Sequence, residues 1–290
     1  MKRIILTTLV LAISAAFASA QNGMYTITSG NASITVNANE GGKIMSLKCG
    51  DNEVLNQGRF PNSYGSTFWT SPQKEWNWPP VAEIDRLPYL AYEFGDKLVL
   101  ASKLSAKIPM RIIKTIYAGK EEGSFVIEYM IKNESGSERK VSPWEISRVR
   151  SKGLVFFEAP VSSIWPDNLM KFNSAYGLSW YTFDVEKQNR KVNTTEGNGW
   201  LGYAGNDVLL VKRFQDLKLG QPAPDEAEIQ VYVNLGDSYT EIESQGAYTT
   251  LQPGETLTWT VKWFVTPFKT PEAMTEELAR AAKKLGHKKL

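Results

Sequence analysis

A period of two runs through most of this chain, and it dictates extended strands. Leu257, Trp259, Val261, Trp263 and Val265 alternate with Thr256, Thr258, Thr260, Lys262 and Phe264. Phe125, Ile127, Tyr129 and Ile131 alternate with Val126, Glu128, Met130 and Lys132. Successive side chains of a strand point to opposite faces, so each pattern turns one set inward and the other outward. The same reasoning predicts strands over 24–28, 33–37, 43–48, 98–102, 111–117, 154–158, 178–183, 208–214, 228–235 and 239–244. Turn sequences separate them, among them Glu40-Gly41-Gly42, Gly205-Asn206-Asp207 and Pro253-Gly254. So many strands imply an all-β domain of two large antiparallel sheets packed face to face, spanning 21–290. One amphipathic helix is expected at about 271–285. Thr270 would cap it, Pro271 would open it, and Met274, Leu278, Ala281, Ala282 and Leu285 would form its apolar stripe.

Residues that are nearly missing constrain the chemistry. Cys49 is the one cysteine, so no intrachain disulfide can form, and it reads as a small buried apolar residue. His287 is the one histidine, at the far C-terminus. That excludes Ser-His-Asp triads, Cys-His dyads and the usual zinc sites from the body of the chain. Acid–base work would fall to carboxylates, Tyr, Lys or Arg. No calcium loop, zinc spacing or phosphate-cradling glycine loop is present, so neither metal nor cofactor is expected.

The first twenty residues read as an export leader. Lys2 and Arg3 precede an apolar run from Ile4 to Phe17, and Ala18-Ser19-Ala20 matches a small-x-small cleavage pattern. The expectation is a chain exported to the periplasm or beyond, starting at Gln21. The apolar run is shorter than the roughly 20 residues of a bilayer span, and no second one follows, so no membrane insertion is expected. The sequence carries 33 Lys and Arg against 31 Asp and Glu, and loss of Lys2 and Arg3 would leave the two signs equal. That balance offers no footprint for nucleic acid.

Trp69-Thr70-Ser71-Pro72-Gln73-Lys74-Glu75-Trp76-Asn77-Trp78-Pro79-Pro80 fits neither periodicity. Indoles among hydrogen-bonding side chains suit the C–H faces and hydroxyls of a sugar. The same indoles could instead lid one end of the sandwich core.

Three further segments, taken in order, carry a resemblance. The first is Glu40-Gly41-Gly42-Lys43-Ile44-Met45-Ser46-Leu47 followed by Gly50-Asp51-Asn52-Glu53-Val54-Leu55. The second runs from Arg111 through Ile127 and Asn133 to Pro143-Trp144-Glu145. The third is Tyr239-Thr240-Glu241-Ile242-Glu243-Ser244-Gln245-Gly246 with Leu251-Gln252-Pro253-Gly254-Glu255. Together they resemble the galactose mutarotase-like β-supersandwich, and within it a secreted bacterial branch. The resemblance implies a carbohydrate ligand, a mono- or oligosaccharide, and places the family's catalytic glutamate at Glu243, with Glu241 the adjacent choice. The family's histidine does not carry over: its neighbourhood reads Val141-Ser142-Pro143-Trp144-Glu145-Ile146-Ser147-Arg148-Val149.

On an extended strand Glu241 and Glu243 share a face opposite Ile242, so both would reach a cleft if Ile242 points into the core. Trp144 and Arg148 share one face of their segment, and Glu145 and Ser147 the other. The candidate catalytic residues are Glu243, Glu145 and Arg148. The candidate substrate contacts are Glu75, Trp76, Trp78, Trp144, Glu241, Lys212 and Trp165. Each also has a structural reading, as a salt-bridged or solvated charge or as core; Trp259 and Trp263 read as core. The leading expectation is an exported carbohydrate-binding protein; turnover is left open, and if it occurs the expected reaction is anomeric epimerisation with Glu243 as base and a partner other than histidine as acid. The alternatives are a non-catalytic carbohydrate-recognition module and a relative of polysaccharide lyases or hydrolases.

Overall fold

The computed structural model describes residues 18–58, 63–184, 189–234 and 239–290. Most of the expected leader, 1–17, lies outside them; Ala18–Gln21 pairs as a strand with Met24–Ser29.

Among the described residues, two antiparallel sheets carry the fold. The first has 11 strands. From its middle to one edge run Lys43–Cys49, Ser66–Ser71, Arg139–Val149, Thr240–Gln245, Ile229–Val233 and Arg190–Thr194, in that order. The second has 10, with Trp200–Gly205, Val208–Arg213, Thr256–Pro267, Ser124–Asn133 and Met110–Ala118 at its centre. Strands close in sequence are often far apart in the order, so residues about 100 positions apart become neighbours.

Facing sides of the two sheets build one core. Phe68 of the first stacks on Tyr129 of the second with centroids 4.3 Å apart, and Ile127, Ile242, Trp259 and Trp263 are buried beside them. Cys49 is buried in this core as well. The alternation that predicted Trp259 and Trp263 as core is seen directly in the pairing of Ser124–Asn133 with Thr256–Pro267.

The helix differs from expectation at its start. It spans Glu276–Gly286 and is capped by Thr275, whose hydroxyl accepts from the Leu278 amide at 3.2 Å. Thr270 is occupied elsewhere: its amide donates to Asp207 and its hydroxyl accepts from the Asp207 amide. An Asp–Thr turn therefore holds the segment until Thr275 supplies the cap. Leu278, Ala279 and Ala282 pack with Phe156, Trp200, Leu209 and Val211 on the outer side of the second sheet.

The Gly41 turn shows why that motif needs glycine. Its φ is +65°, and a Cβ there would lie 2.1 Å from the Asp85 carbonyl oxygen. The close approach seats the 82–85 helix, which carries Asp85 to the back of the Trp69 indole.

Candidate functional site

Register across the first sheet aligns side chains in rows. Arg148 lies opposite Glu241, Glu241 opposite Tyr232, and Tyr232 opposite Lys191. A second row runs Ile146, Glu243, Gln230, Asn193. A third pairs Trp69 with Trp144 and Trp144 with Gln245. Directly opposed residues share a face. Ile242 is fully buried in the core, so these rows turn away from the second sheet. They floor a hollow of about 330 Å³, whose walls include Trp69, Trp78 and Trp144 on one side and Lys191, Tyr232 and Tyr239 on the other. That volume falls at the small end of ligand clefts.

The floor is charged and incompletely satisfied. Glu243 is 1% exposed. Its Oε2 accepts from the Trp144 indole at 2.8 Å and from Lys191 at 3.0 Å, while its Oε1 has no hydrogen-bond partner within the protein. The Lys191 ammonium also rests over the Trp144 ring, 4.6 Å from its centroid. Arg148 is 2% exposed, and its Nε lies 2.9 Å from Glu241 Oε1, too poorly aligned for a hydrogen bond. Nη1 of Arg148 likewise has no partner. The guanidinium sits between the Trp69 and Tyr239 rings, 5.7 and 5.8 Å from their centroids.

Burial pushes the Glu241 carboxyl up to about 7; Arg148 opposes the shift and the Glu243 charge adds to it. Two carboxylates two positions apart on the same strand face thus differ in kind. Glu243 has a cationic and an indole donor on one oxygen, whereas Glu241 titrates near neutrality. Buried polar atoms without partners are rare in native structures, and three of those here, on Arg148 and Glu243, belong to residues that line this hollow.

Several sequence candidates lie elsewhere. Glu145 points the other way from Arg148, as a period of two requires, and is sealed between the sheets. Its carboxylate meets Lys212 at 2.6 Å and accepts from Tyr129 at 2.5 Å and Trp263 at 3.1 Å. Lys212 donates further to Ser147 at 3.0 Å, and both side chains of the ion pair are 0% exposed. Neither can touch a substrate. They are a structural pair beneath the cleft floor.

Trp76 is 1% exposed, its indole donates to the Thr70 carbonyl, and it packs edge-on against Trp69. It supports the wall from behind. Glu75 is exposed on a short 3-10 turn, Gln73–Glu75, outside the hollow. Trp78, 66% exposed, does line it. Trp165 lies at the far edge of the sheet, bridged to Asn193.

The sequence reading missed Lys191, Tyr232 and Asn234 in the cleft wall, and it placed Trp69 in the indole stretch without naming it a contact. Trp69 belongs to the strand Ser66–Ser71 rather than to the loop after it. The others could be found only through strand pairing, because nothing local sets them apart. Among the described residues, no group of three His, Cys, Asp or Glu could hold a metal ion. No helix among them is long and apolar enough to cross a membrane.

No known family's sequence pattern matches this chain, and no curated protein does. Solved structures do. A crystal structure from Escherichia coli K12, provisionally named an aldose 1-epimerase, superposes with a TM-score of 0.61 at 11% identity, covering 84% of this chain and 99% of the other. A galactose mutarotase-like protein from Lactobacillus casei gives 0.60 at 12%, covering 84% and 100%. A TPR-domain protein from Parabacteroides distasonis gives 0.61 at 13%; the match covers 87% of this chain and 48% of that one. At such identities the likeness fixes the architecture, and the chain folds as a galactose mutarotase-like β-supersandwich.

Proposed function

We propose that the cleft binds the reducing end of a saccharide and exchanges its anomers, in a protein exported by the leader at its N-terminus. The carrying observation is the partnerless Oε1 of Glu243, buried at the cleft floor beside a second carboxyl that titrates near 7.

In this reading Glu243 Oε1 takes the proton of the anomeric hydroxyl. The C1–O5 bond breaks to give the open aldehyde, and the proton of Glu241 passes to the ring oxygen. Rotation about C1–C2 and reclosure reverse both transfers, so neither residue is changed after a cycle. The Arg148 guanidinium is a fixed positive charge for a developing oxyanion, and as an arginine it is no donor of the proton. Glu241 supplies the acid that histidine supplies elsewhere in the superfamily. The Trp69, Trp78 and Trp144 rings offer flat surface to sugar C–H faces.

One observation favours a second reading, a recognition module without turnover. Glu243 Oε2 is already held by Lys191 at 3.0 Å and by the Trp144 indole at 2.8 Å, as in a site built to hold a ligand rather than to move a proton. Exchange spectroscopy on a panel of reducing aldoses separates the two. Protein-dependent interconversion of α and β signals, lost in Glu243→Gln, supports the epimerase. Saturable binding without interconversion leaves the module, and neither response from any aldose refutes both.

A further inference from the structure

Nine tryptophans occur in the sequence, and Trp78 and Trp165 are the two with exposed rings, at 66% and 40%. Trp78 stands at one side of the cleft, its ring centroid 6.2 Å from that of Trp69. Trp165 stands at the other side. Its amide donates to the Asn193 carbonyl at 2.9 Å, and the Asn193 amide donates back at 2.8 Å. This bridge adds one more position to the row Glu243, Gln230, Asn193. Directly opposed residues share a face, so this register sets Trp165 on the face of Asn193 and Glu243, the one that carries the cleft.

From these positions we propose that the ligand is an oligosaccharide chain, and that Trp165 is a distal stacking platform for it. The proposal rests on the saccharide reading of the cleft and extends it. Three strand spacings separate the platform from Glu243, about 15 Å, or about three sugar units at roughly 5 Å each. The 330 Å³ hollow is small, so a chain of that length must leave it along the sheet. Gln230 of that row is held by Glu226, which accepts the side-chain amides of Gln230 and Gln245. Lys191, two positions before Asn193 on the same face, has a side chain that is 33% exposed. The loop that carries Trp165 also walls a second hollow of about 590 Å³, where Ser162, Asp167, Asn168 and Lys171 provide donors and acceptors for hydroxyls. An exposed indole at a fixed distance from a buried carboxylate, with polar side chains after it, matches the alternating flat and hydroxylated surface of a glycan. It poorly matches a lone ring held at the cleft floor.

The test is titration calorimetry on the full chain with malto-, cello- and galacto-oligosaccharides of one to six units. In at least one series, affinity should rise about tenfold between one and four units. Trp165→Ala should remove that gain and leave the monosaccharide affinity and the melting temperature unchanged. Trp165→Phe, which keeps a flat ring, should retain most of it. Affinity that is flat with chain length, or a gain that survives Trp165→Ala, overturns the platform and leaves the cleft reading standing. Absence of binding by every probe, with no anomeric exchange of the monosaccharides, overturns both.

Discussion

Two sets of buried charges lie on opposite faces of the same strands. Between the sheets, Glu145 and Lys212 satisfy each other and are closed off by Tyr129, Trp263 and Ser147. On the outer face, Glu243 and Arg148 are equally dry, yet Glu243 Oε1 and Arg148 Nη1 bond to nothing in the protein. Burying a charge is costly in both places. In the interior its partners offset the cost. At the cleft the offset is partial, and the remaining bonding capacity faces a hollow. The contrast teaches that satisfaction, rather than burial, separates a structural charge from one kept for a ligand.

That contrast makes its strongest demand on the interior pair. Lys212→Met alone leaves Glu145 buried without its cation, and should cost about 3–5 kcal/mol in denaturant unfolding. The double change Glu145→Gln with Lys212→Met should recover most of the loss. A single change that costs under about 1 kcal/mol would break the comparison from the structural side.

Glu243→Gln should do the reverse. Exchange should fall about 10²–10⁴-fold, as removal of a general base does, with the unfolding midpoint little changed. A large loss of stability would place Glu243 in the same class as Glu145.

The pH dependence sharpens the difference between the two cleft carboxyls. Folding raises the Glu241 pKa from 4.5 to about 7, so between those values the folded chain holds a proton that the unfolded chain has lost. Its contribution to stability therefore declines as pH rises from 4.5 to 7, and Glu241→Gln should flatten that part of the profile. Glu228, raised by burial to about 8, adds a decline of the same sign that this variant leaves in place. Exchange that needs the protonated acid should fall above pH 7, and whatever exchange remains in the variant should lack that alkaline limb.

Trp78→Ala should have the smallest effect: affinity weaker by about three- to tenfold, with stability within about 0.5 kcal/mol. Calorimetry and thermal melts on the same samples read both.

The sandwich was legible because a period of two survives in long strands such as Thr256–Pro267. The same periodicity correctly set Glu241 and Glu243 on one face. It also set Glu145 and Arg148 on opposite faces, so only one of those two could ever reach a cleft. Which one was hidden, because the answer depends on what stands across the sandwich: Lys212, 67 positions along the chain from Glu145, together with Tyr129 and Trp263. Lys191 reaches Glu243 over a sequence separation of 52, through a strand pairing that no local pattern encodes. Trp69 was hidden for another reason. Its strand runs directly into a proline-rich turn, so strand and loop read as one irregular stretch. Trp76 looked like its neighbour Trp78, but a single bond from its indole to the Thr70 carbonyl turns it inward.

A crystal structure of the full chain with a bound saccharide decides whether the cleft's unsatisfied groups are kept for a ligand. The anomeric hydroxyl should lie within hydrogen-bond distance of Glu243 Oε1 and a ligand oxygen on Arg148 Nη1, completing the two groups. A saccharide seated away from both, with Glu243 and Arg148 still unpartnered beneath it, would contradict that reading.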